Sequence, residues 1–352
     1  MRSEPDLLFE RRGAAGLIAL NRPHALNAVT AAMVRTLAHK LEEWEADAGV
    51  TRIIVTAKGE RAFSAGGDLR ALYDLGLAGH HQEQLAFFRD EYRLNARIKR
   101  LRKPYVSLID GMVMGGGVGI SVHGSHRIAG DKYLFAMPEV GIGFFPDVGG
   151  TWFLPRLPGR LGTFCALTAE RLKSADAVAA GVATHRVASA RFAELAHALC
   201  EDRPVDAVIG AFAEPSGKGP VLTHQAAIDR FFDHDTIEEI LHALDTAAAR
   251  EGPDAAFAAQ AAASMRTKCP TSLKIALAQM RAGSRSDFEE CMRTEFRIVS
   301  RVVRGPDFYE GIRAVIVDKD QTPRWQPSSL REVSPQEVAR YFEALPDELM
   351  LP

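Results

Sequence analysis

The chain has 352 residues, 47% hydrophobic and 25% charged, with a formal net charge of -2 and a sequence pI near 6.6. That is globular composition, long enough for one large core or two domains. The charge balance supplies no basic stripe for nucleic acid or an anionic membrane, and no apolar run approaches the roughly 18 residues of a bilayer span.

In chain order, "GLIALNRP" reads as a strand ended by proline, and "TAAMVRTLAHKLEEWEAD" as a helix started by Thr30. Met33, Leu37, Leu41 and Trp44 would then share its buried stripe. "RIIVTAKG" is a β-branched strand stopped at Gly59, and "KPYVSLIDG" and "HRIAGDKYLFAMPE" repeat the pattern. Between those two, "GGGVGISVHGS" opens a helix with glycines. Repeated strand, strand, helix units with short connections predict an α/β architecture.

After about residue 190 the strand signal fades. "DHDTIEEILHALDTAAA" offers a capping box, Asp235 with Glu238 or Thr236 with Glu239, ahead of Ile237, Ile240, Leu241 and Leu244. "SRSDFEECMRTEFRIVSRVVR" repeats the design, with Ser286 and Glu289 as the expected cap before Phe288, Met292, Phe296, Val299 and Val303. "AEPSGKGPV" is the loop between the parts. The expected division is a core over 1–200 and a mostly helical region over 201–352.

Common catalytic motifs are missing. "GISVHG" has His123 where a serine elbow needs its last glycine, which removes Ser121 as a nucleophile. "GIGFFP" and "GGGVG" fail the dinucleotide spacing, and "PSGKGP" lacks the Ser or Thr of a P-loop. His80/His81 and His123/His126 lack a third metal ligand, so no metal is expected. Cys165, Cys200, Cys269 and Cys291 form no C-x-x-C pair. They read as reduced thiols, and with no apolar leader at the start they point to a cytoplasmic location.

Three glycine-rich stretches carry the chemistry. "FSAGGDL" and "DGMVMGGGVG" each follow a strand and let backbone N–H groups face a ligand without a Cβ in the way. Two such turns aimed at one point would supply two donors to a developing oxyanion. "MPEVGIGFFPDVGG", Met137 to Gly150, then sets Glu139 and Asp147 on either side of an apolar stretch. Read separately, each turn also fits tight packing, and each acid also fits a helix cap.

Together with "NRPHALNAV", in this order and spacing, these stretches resemble the crotonase (enoyl-CoA hydratase) superfamily, nearest its 3-hydroxyisobutyryl-CoA hydrolase branch. The similarity extends through "FRDEYRLN", "AGVATHRV", "CPTSLKIAL" and "DFYEGIRAVIVDKDQTPRWQP", nearly the whole chain. The resemblance implies a crotonase-type spiral of repeated ββα units followed by a mostly helical C-terminal region. It implies a small-molecule acyl-CoA substrate, no separate cofactor, and a thioester carbonyl held by the N–H groups of Gly67 and Gly116. The CoA end would lie near His24, Ala25 and Leu26 and near Ala65, Gly67, Asp68 and Leu69, with Asp68 more a helix cap than a reacting group.

A crotonase hydratase uses two glutamates, and the first would fall at Gly119 here. The acids implied for hydrolysis are Glu139, attacking the carbonyl or activating water, and Asp147, which bonds a 3-hydroxyl or manages the thiolate's proton. Glu91 would line the acyl pocket, and Phe144/Phe145 would wall its end. Two rivals stand beside the hydrolase: a lyase using Glu139 and Asp147, and a non-catalytic acyl-CoA-binding protein. The resemblance also leaves room for a homo-oligomer.

Overall fold

The computed structural model describes residues 4–352. Strands β1 (Leu7–Arg12) and β2 (Ala15–Leu20) form an antiparallel hairpin, and helix α1 (Ala31–Ala46) leads to β3 (Arg52–Ala57) and β4 (Ala62–Ser64). Helices α2 (Leu69–Leu77) and α3 (His81–Arg100) precede β5 (Tyr105–Ile109) and β6 (Met112–Met114). Helix α4 (Gly116–Val122) then leads to β7 (His126–Ala129) and β8 (Leu134–Ala136). Two short strands, β9 (Leu172–Lys173) and β10 (His185–Arg186), finish the sheets.

The six-stranded sheet has the order β1-β2-β3-β5-β7-β10 and the four-stranded sheet the order β4-β6-β8-β9. Successive units drop β3, β5 and β7 into the first sheet and β4, β6 and β8 into the second, all in parallel. Each strand–strand–helix unit therefore advances one step in both sheets at once. This is the spiral expected from the sequence, and it stacks the chain's turns after β4, β6 and β8 at one end.

Burial explains the strand composition. Ile53, Val55 and Ile109 face the main core with Leu37, Leu41 and Trp44 of α1, while Ile54, Val106, Leu108 and Ile128 face the other way. That second face is covered by helices Phe192–Ala198 and Val205–Phe212 through Leu195, Val208 and Ile209. Parallel strands buried on both faces read as continuous apolar runs. Thr30 accepts a hydrogen bond from the Met33 N–H at 3.1 Å, capping α1 as expected.

Beyond β10 the described chain is helical, apart from an isolated bridge between Arg186 and Glu214. Helices Pro270–Arg285, Phe288–Val302 and Pro306–Ile312 fold back over the spiral. Met280, Met292, Phe296 and Phe308 join Phe88, Tyr92 and Phe144 in one continuous core. No helix among the described residues is long and apolar enough to cross a membrane. All four cysteines are free and buried.

The Thr236–Glu239 capping box forms in full, and it is this alternative, not Asp235 with Glu238, that starts the Ile237–Ala248 helix. The expected Ser286–Glu289 cap does not form. Ser286 closes the preceding helix and donates its hydroxyl to the Ala282 carbonyl; Asp287, one residue later, accepts from the Glu290 N–H at 2.8 Å. The helix thus starts one residue further on than the pattern suggested, because an aspartate at that point outcompetes a serine already engaged behind it. Asp287→Ala should therefore cost about 1 kcal/mol in urea unfolding, the usual worth of an N-cap. Ser286→Ala should stay within about 0.5 kcal/mol, and the reverse ranking would restore the serine cap.

Candidate active site

Strands β4 and β6 lie side by side, so the turns that leave them meet. Gly66 (φ +118°) and Gly115 (φ +45°) reverse the backbone in regions that side chains rarely adopt. The next residues, Gly67 and Gly116, present amides that have no acceptor among the described residues. A Cβ on Gly116 would stand 3.2 Å from the Gly67 nitrogen and 2.5 Å from Glu91 Oε1. The two turn tips are close enough for both N–H groups to serve one oxygen, and no side chain fits between them.

Glu139 and Asp147 converge on this point. Glu139 opens a single 3-10 turn, Glu139–Ile142, and a Cβ on Gly115 would lie 3.3 Å from its Oε1. Asp147 accepts a hydrogen bond from the Tyr92 hydroxyl at 2.9 Å. Glu91, one residue before Tyr92 on α3, reaches the same space. Glu91, Glu139 and Asp147 are 2%, 5% and 4% exposed, and Glu91 Oε1 and Glu139 Oε2 have no partner among the described residues.

Burial dominates their proton affinity. It raises the Glu139 carboxyl well above its usual range, with the nearby Asp147 adding to the effect, and it does the same for Glu91. Asp147 is pushed up to about 7 by burial, against the pull of the Tyr92 hydrogen bond. Like charges this close in a desolvated space cannot all ionise, so the group retains protons near neutrality. Such a set can both attack and deliver a proton.

The cavity is small, ≈ 60 Å³, and is lined by Gly67, Gly116, Glu91, Glu139, Asp147 and Phe144 among others. One water takes roughly 10–15 Å³ on this scale, so the space is of a size that suits a short acyl group. Phe144 forms part of the wall, stacked on Phe88 with ring centroids 5.6 Å apart. Phe145, expected beside it, does not line the cavity; it is fully buried behind Phe144. A larger cleft of ≈ 390 Å³, lined by Cys269, Asp307 and Tyr341, brings no comparable constellation together.

The two segments assigned to the CoA end are tied to each other. The Ala65 N–H donates to the Leu26 carbonyl at 3.0 Å, the Val29 N–H to Gly66 at 2.8 Å, and the Asp68 N–H to Val29 at 2.9 Å. Ala65, Gly67 and Leu69 line the cavity, while His24 is exposed within the 3-10 turn Pro23–Ala25. Asp68 caps α2 through the Ala71 N–H and pairs with Arg22 at 3.2 Å, a structural role as expected. Ser121 is likewise structural, its hydroxyl donating to the Gly117 carbonyl at 2.8 Å.

Gly119 faces away from open space. A Cβ there would stand 2.8 Å from both Asn95 Nδ2 and Val148 Cβ. The position at which the family resemblance put a hydratase's first acid is packed shut here. No group of three or more His, Cys, Asp or Glu among the described residues could hold a metal ion.

Reading the sequence missed three polar residues near the acids: Tyr92 as a partner of Asp147, the fully buried Asn95, and Glu295. The last is 0% exposed on the Phe288–Val302 helix and accepts N–H bonds from Gly149 and Thr151 at 2.8 and 2.9 Å. Its signal was present. Positions 288, 292, 295 and 299 follow the helical stripe, so an acid stands where the pattern calls for an apolar residue.

Comparison with known proteins agrees with this geometry. The family profile described as enoyl-CoA hydratase/isomerase matches residues 15–342. The chain is 46% identical over 350 residues to a protein named "3-hydroxyisobutyryl-CoA hydrolase, mitochondrial" from Danio rerio, covering 97% of this chain and 90% of that one. It is 42% identical over 352 residues to the Homo sapiens protein of the same name, covering 97% and 89%. Two solved structures superpose over nearly everything: a carnitinyl-CoA dehydratase from Mycobacterium thermoresistibile (TM-score 0.93, 40% identity, 99% of each chain) and an enoyl-CoA hydratase from Rhodobacter sphaeroides 2.4.1 (TM-score 0.88, 39% identity, 99% and 100%). With its spiral, its paired glycine turns and a profile match over most of its length, the chain belongs to the enoyl-CoA hydratase/isomerase (crotonase) family.

Proposed function

We propose that this protein hydrolyses the thioester of a short 3-hydroxyacyl-CoA, 3-hydroxyisobutyryl-CoA to 3-hydroxyisobutyrate and CoA. One observation carries the reading: Glu139 and Asp147 face the free amides of Gly67 and Gly116 across a small cavity, while the hydratase's other acid is replaced by packing at Gly119. The names of the 42–46% identical relatives support the same substrate.

In this reading the two N–H groups bind the carbonyl oxygen and take up the negative charge as the carbonyl becomes tetrahedral. Glu139 supplies the carboxylate that reaches the carbonyl carbon, either through a water whose proton it accepts or directly, in which case an anhydride forms as the C–S bond breaks and water then hydrolyses it to the acid and free Glu139. In either route, as the C–S bond breaks, the departing thiolate takes a proton from the acid cluster, where Asp147 titrates near neutrality. Asp147 and Glu91 are placed to bond the 3-hydroxyl, which fixes the acyl group against Phe144.

The lyase rival matches the names of the two proteins whose solved structures superpose. Filling of the Gly119 site opposes it, because addition of water to a double bond then lacks its second acid in the usual place. Gly119→Glu should fail to create crotonyl-CoA hydration. Even Gly119→Ala should destabilise the fold by about 1–3 kcal/mol through overpacking. A stable Gly119→Glu protein that hydrates crotonyl-CoA would return the lyase to contention.

Glu139→Gln should lower thiol release about a hundredfold or more. The sign of its effect on stability follows from linkage. A carboxyl whose folded pKa is raised stabilises the fold at low pH, and that contribution is lost as pH rises through the folded value. At about pH 8 the glutamine variant should therefore melt no lower than the wild type. A folded Glu139→Gln enzyme with most of its thiol release intact would remove Glu139 from the chemistry.

A site built around a hydroxyl penalises its absence, since the buried carboxylate is then left unpaired. Isobutyryl-CoA should be a much poorer substrate than 3-hydroxyisobutyryl-CoA by kcat/KM. Asp147→Ala should shrink that difference by slowing the better substrate more than the poorer. An undiminished preference in Asp147→Ala would transfer the recognition to Glu91.

A further inference from the structure

The turn after Asp147 is conformationally costly. Val148 has φ +51° and Gly149 has φ +91°. A β-branched residue in the left-handed region is a genuine outlier, at a cost on the order of 1–3 kcal/mol. Such a turn persists only when its surroundings hold it.

Three clamps do so, each from a different element. The Gly149 and Thr151 N–H groups donate to the two oxygens of Glu295. His123, at the C-terminal end of α4, bonds the Val148 carbonyl at 2.7 Å. Gln279, on the Pro270–Arg285 helix, donates to the Pro146 carbonyl and to the Thr151 hydroxyl. Two of these clamps belong to the C-terminal helices, which supply no group to the cavity lining.

We propose that Glu295 is a positioning residue for the reaction: its carboxylate grips the left-handed turn through two backbone N–H groups, aims Asp147 into the cavity, and when ionised sets a negative charge behind the acids. This rests on the hydrolase reading above. Both Glu295 oxygens accept a backbone N–H, bonds that strengthen when the carboxylate is charged. Ionisation is the state this geometry serves, even though burial and then Asp147 push Glu295 up to about 8.

The groups around Asp147 are known element by element: Glu91 and Tyr92 from α3, Glu139 from its 3-10 turn, and Glu295 from behind. His123, at the C-terminal end of α4, is held neutral, lowered to about 4 by burial, with Lys99 and Arg127 adding to that effect. Glu295 raises Glu91, Tyr92 and Glu139 through its charge, in each case less than burial does. Glu139 acts when deprotonated, so activity falls as pH drops through its raised value. Removing the charge on Glu295 moves that acid limb to lower pH.

The test uses the intact enzyme and the variants Glu295→Gln, Glu295→Asp and Glu295→Gln with Val148→Gly. Readouts are thiol release against pH, melting temperature and amide hydrogen exchange across residues 147–153. Glu295→Gln should lower kcat about tenfold or more with little change in KM, the scale of a misplaced reacting group. It should also shift the acid limb down by about half a unit or more and speed exchange in the turn. Glu295→Asp keeps the charge but cannot reach both amides: its limb should stay in place while kcat falls. Glycine accepts the left-handed region without strain, so Val148→Gly should recover part of the kcat lost in Glu295→Gln. Wild-type kcat, acid limb and exchange in a Glu295→Gln protein altered only in melting temperature would overturn the proposal. If that variant does not fold, wild-type kcat and exchange in Glu295→Asp would overturn it instead. A wild type that releases no thiol would defeat the hydrolase reading alone, because exchange in the turn still reports whether Glu295 holds it.

Discussion

Burying a carboxylate without a partner is among the costlier acts a fold can perform, and this protein gathers Glu91, Glu139 and Asp147 at one cavity with Glu295 behind them. The cost is limited by protonation, by the Tyr92 hydroxyl on Asp147 and by the two backbone N–H groups on Glu295. What remains is a cluster whose proton affinities lie well above those of exposed acids. That property suits a reaction needing a carboxylate and a proton within one desolvated space.

The spiral makes the cluster affordable by placing the other half of the chemistry in the backbone. Parallel registration of β4 with β6 brings Gly67 and Gly116 together without any side chain to orient. The two free amides therefore sit on turns fixed by paired parallel strands. The acids come from more varied sources: a helix for Glu91, a single 3-10 turn for Glu139, and a strained loop for Asp147. Precision at Asp147 has to be imposed from outside. The helices that follow residue 268 impose it, which gives that region a function even though it lines none of the cavity.

The chain's relatives carry both hydrolase and lyase names on one fold, so the fold does not decide between them. At the α4 position where the family resemblance puts a hydratase's acid, this chain has Gly119 closed over by Asn95 and Val148, and Val148 is part of the turn that presents Asp147. Closure at Gly119 and presentation of Asp147 are thus two sides of a single packing arrangement.

Much of this was legible in the sequence. The strand and helix order, the buried stripe of α1, the paired glycine turns and the two acids of Met137 to Gly150 are local patterns, set by side-chain periodicity and by glycine's access to positive φ. The resemblance then tied those patterns to one chemistry. Three things were visible only in the folded structure. The start of the Phe288–Val302 helix went to Asp287 because Ser286 was already bonded to the helix before it. Phe145 turned into the core and left Phe144 alone at the cavity, since only one of two adjacent rings can face a wall this tight. Glu295, 148 residues from Asp147 in sequence, became its support because the C-terminal helices pack over the loop and offer both carboxylate oxygens to its amides. Local sequence determines which conformations each segment favours; only the assembled core decides which distant side chain satisfies its exposed backbone, and here that choice governs the direction of Asp147.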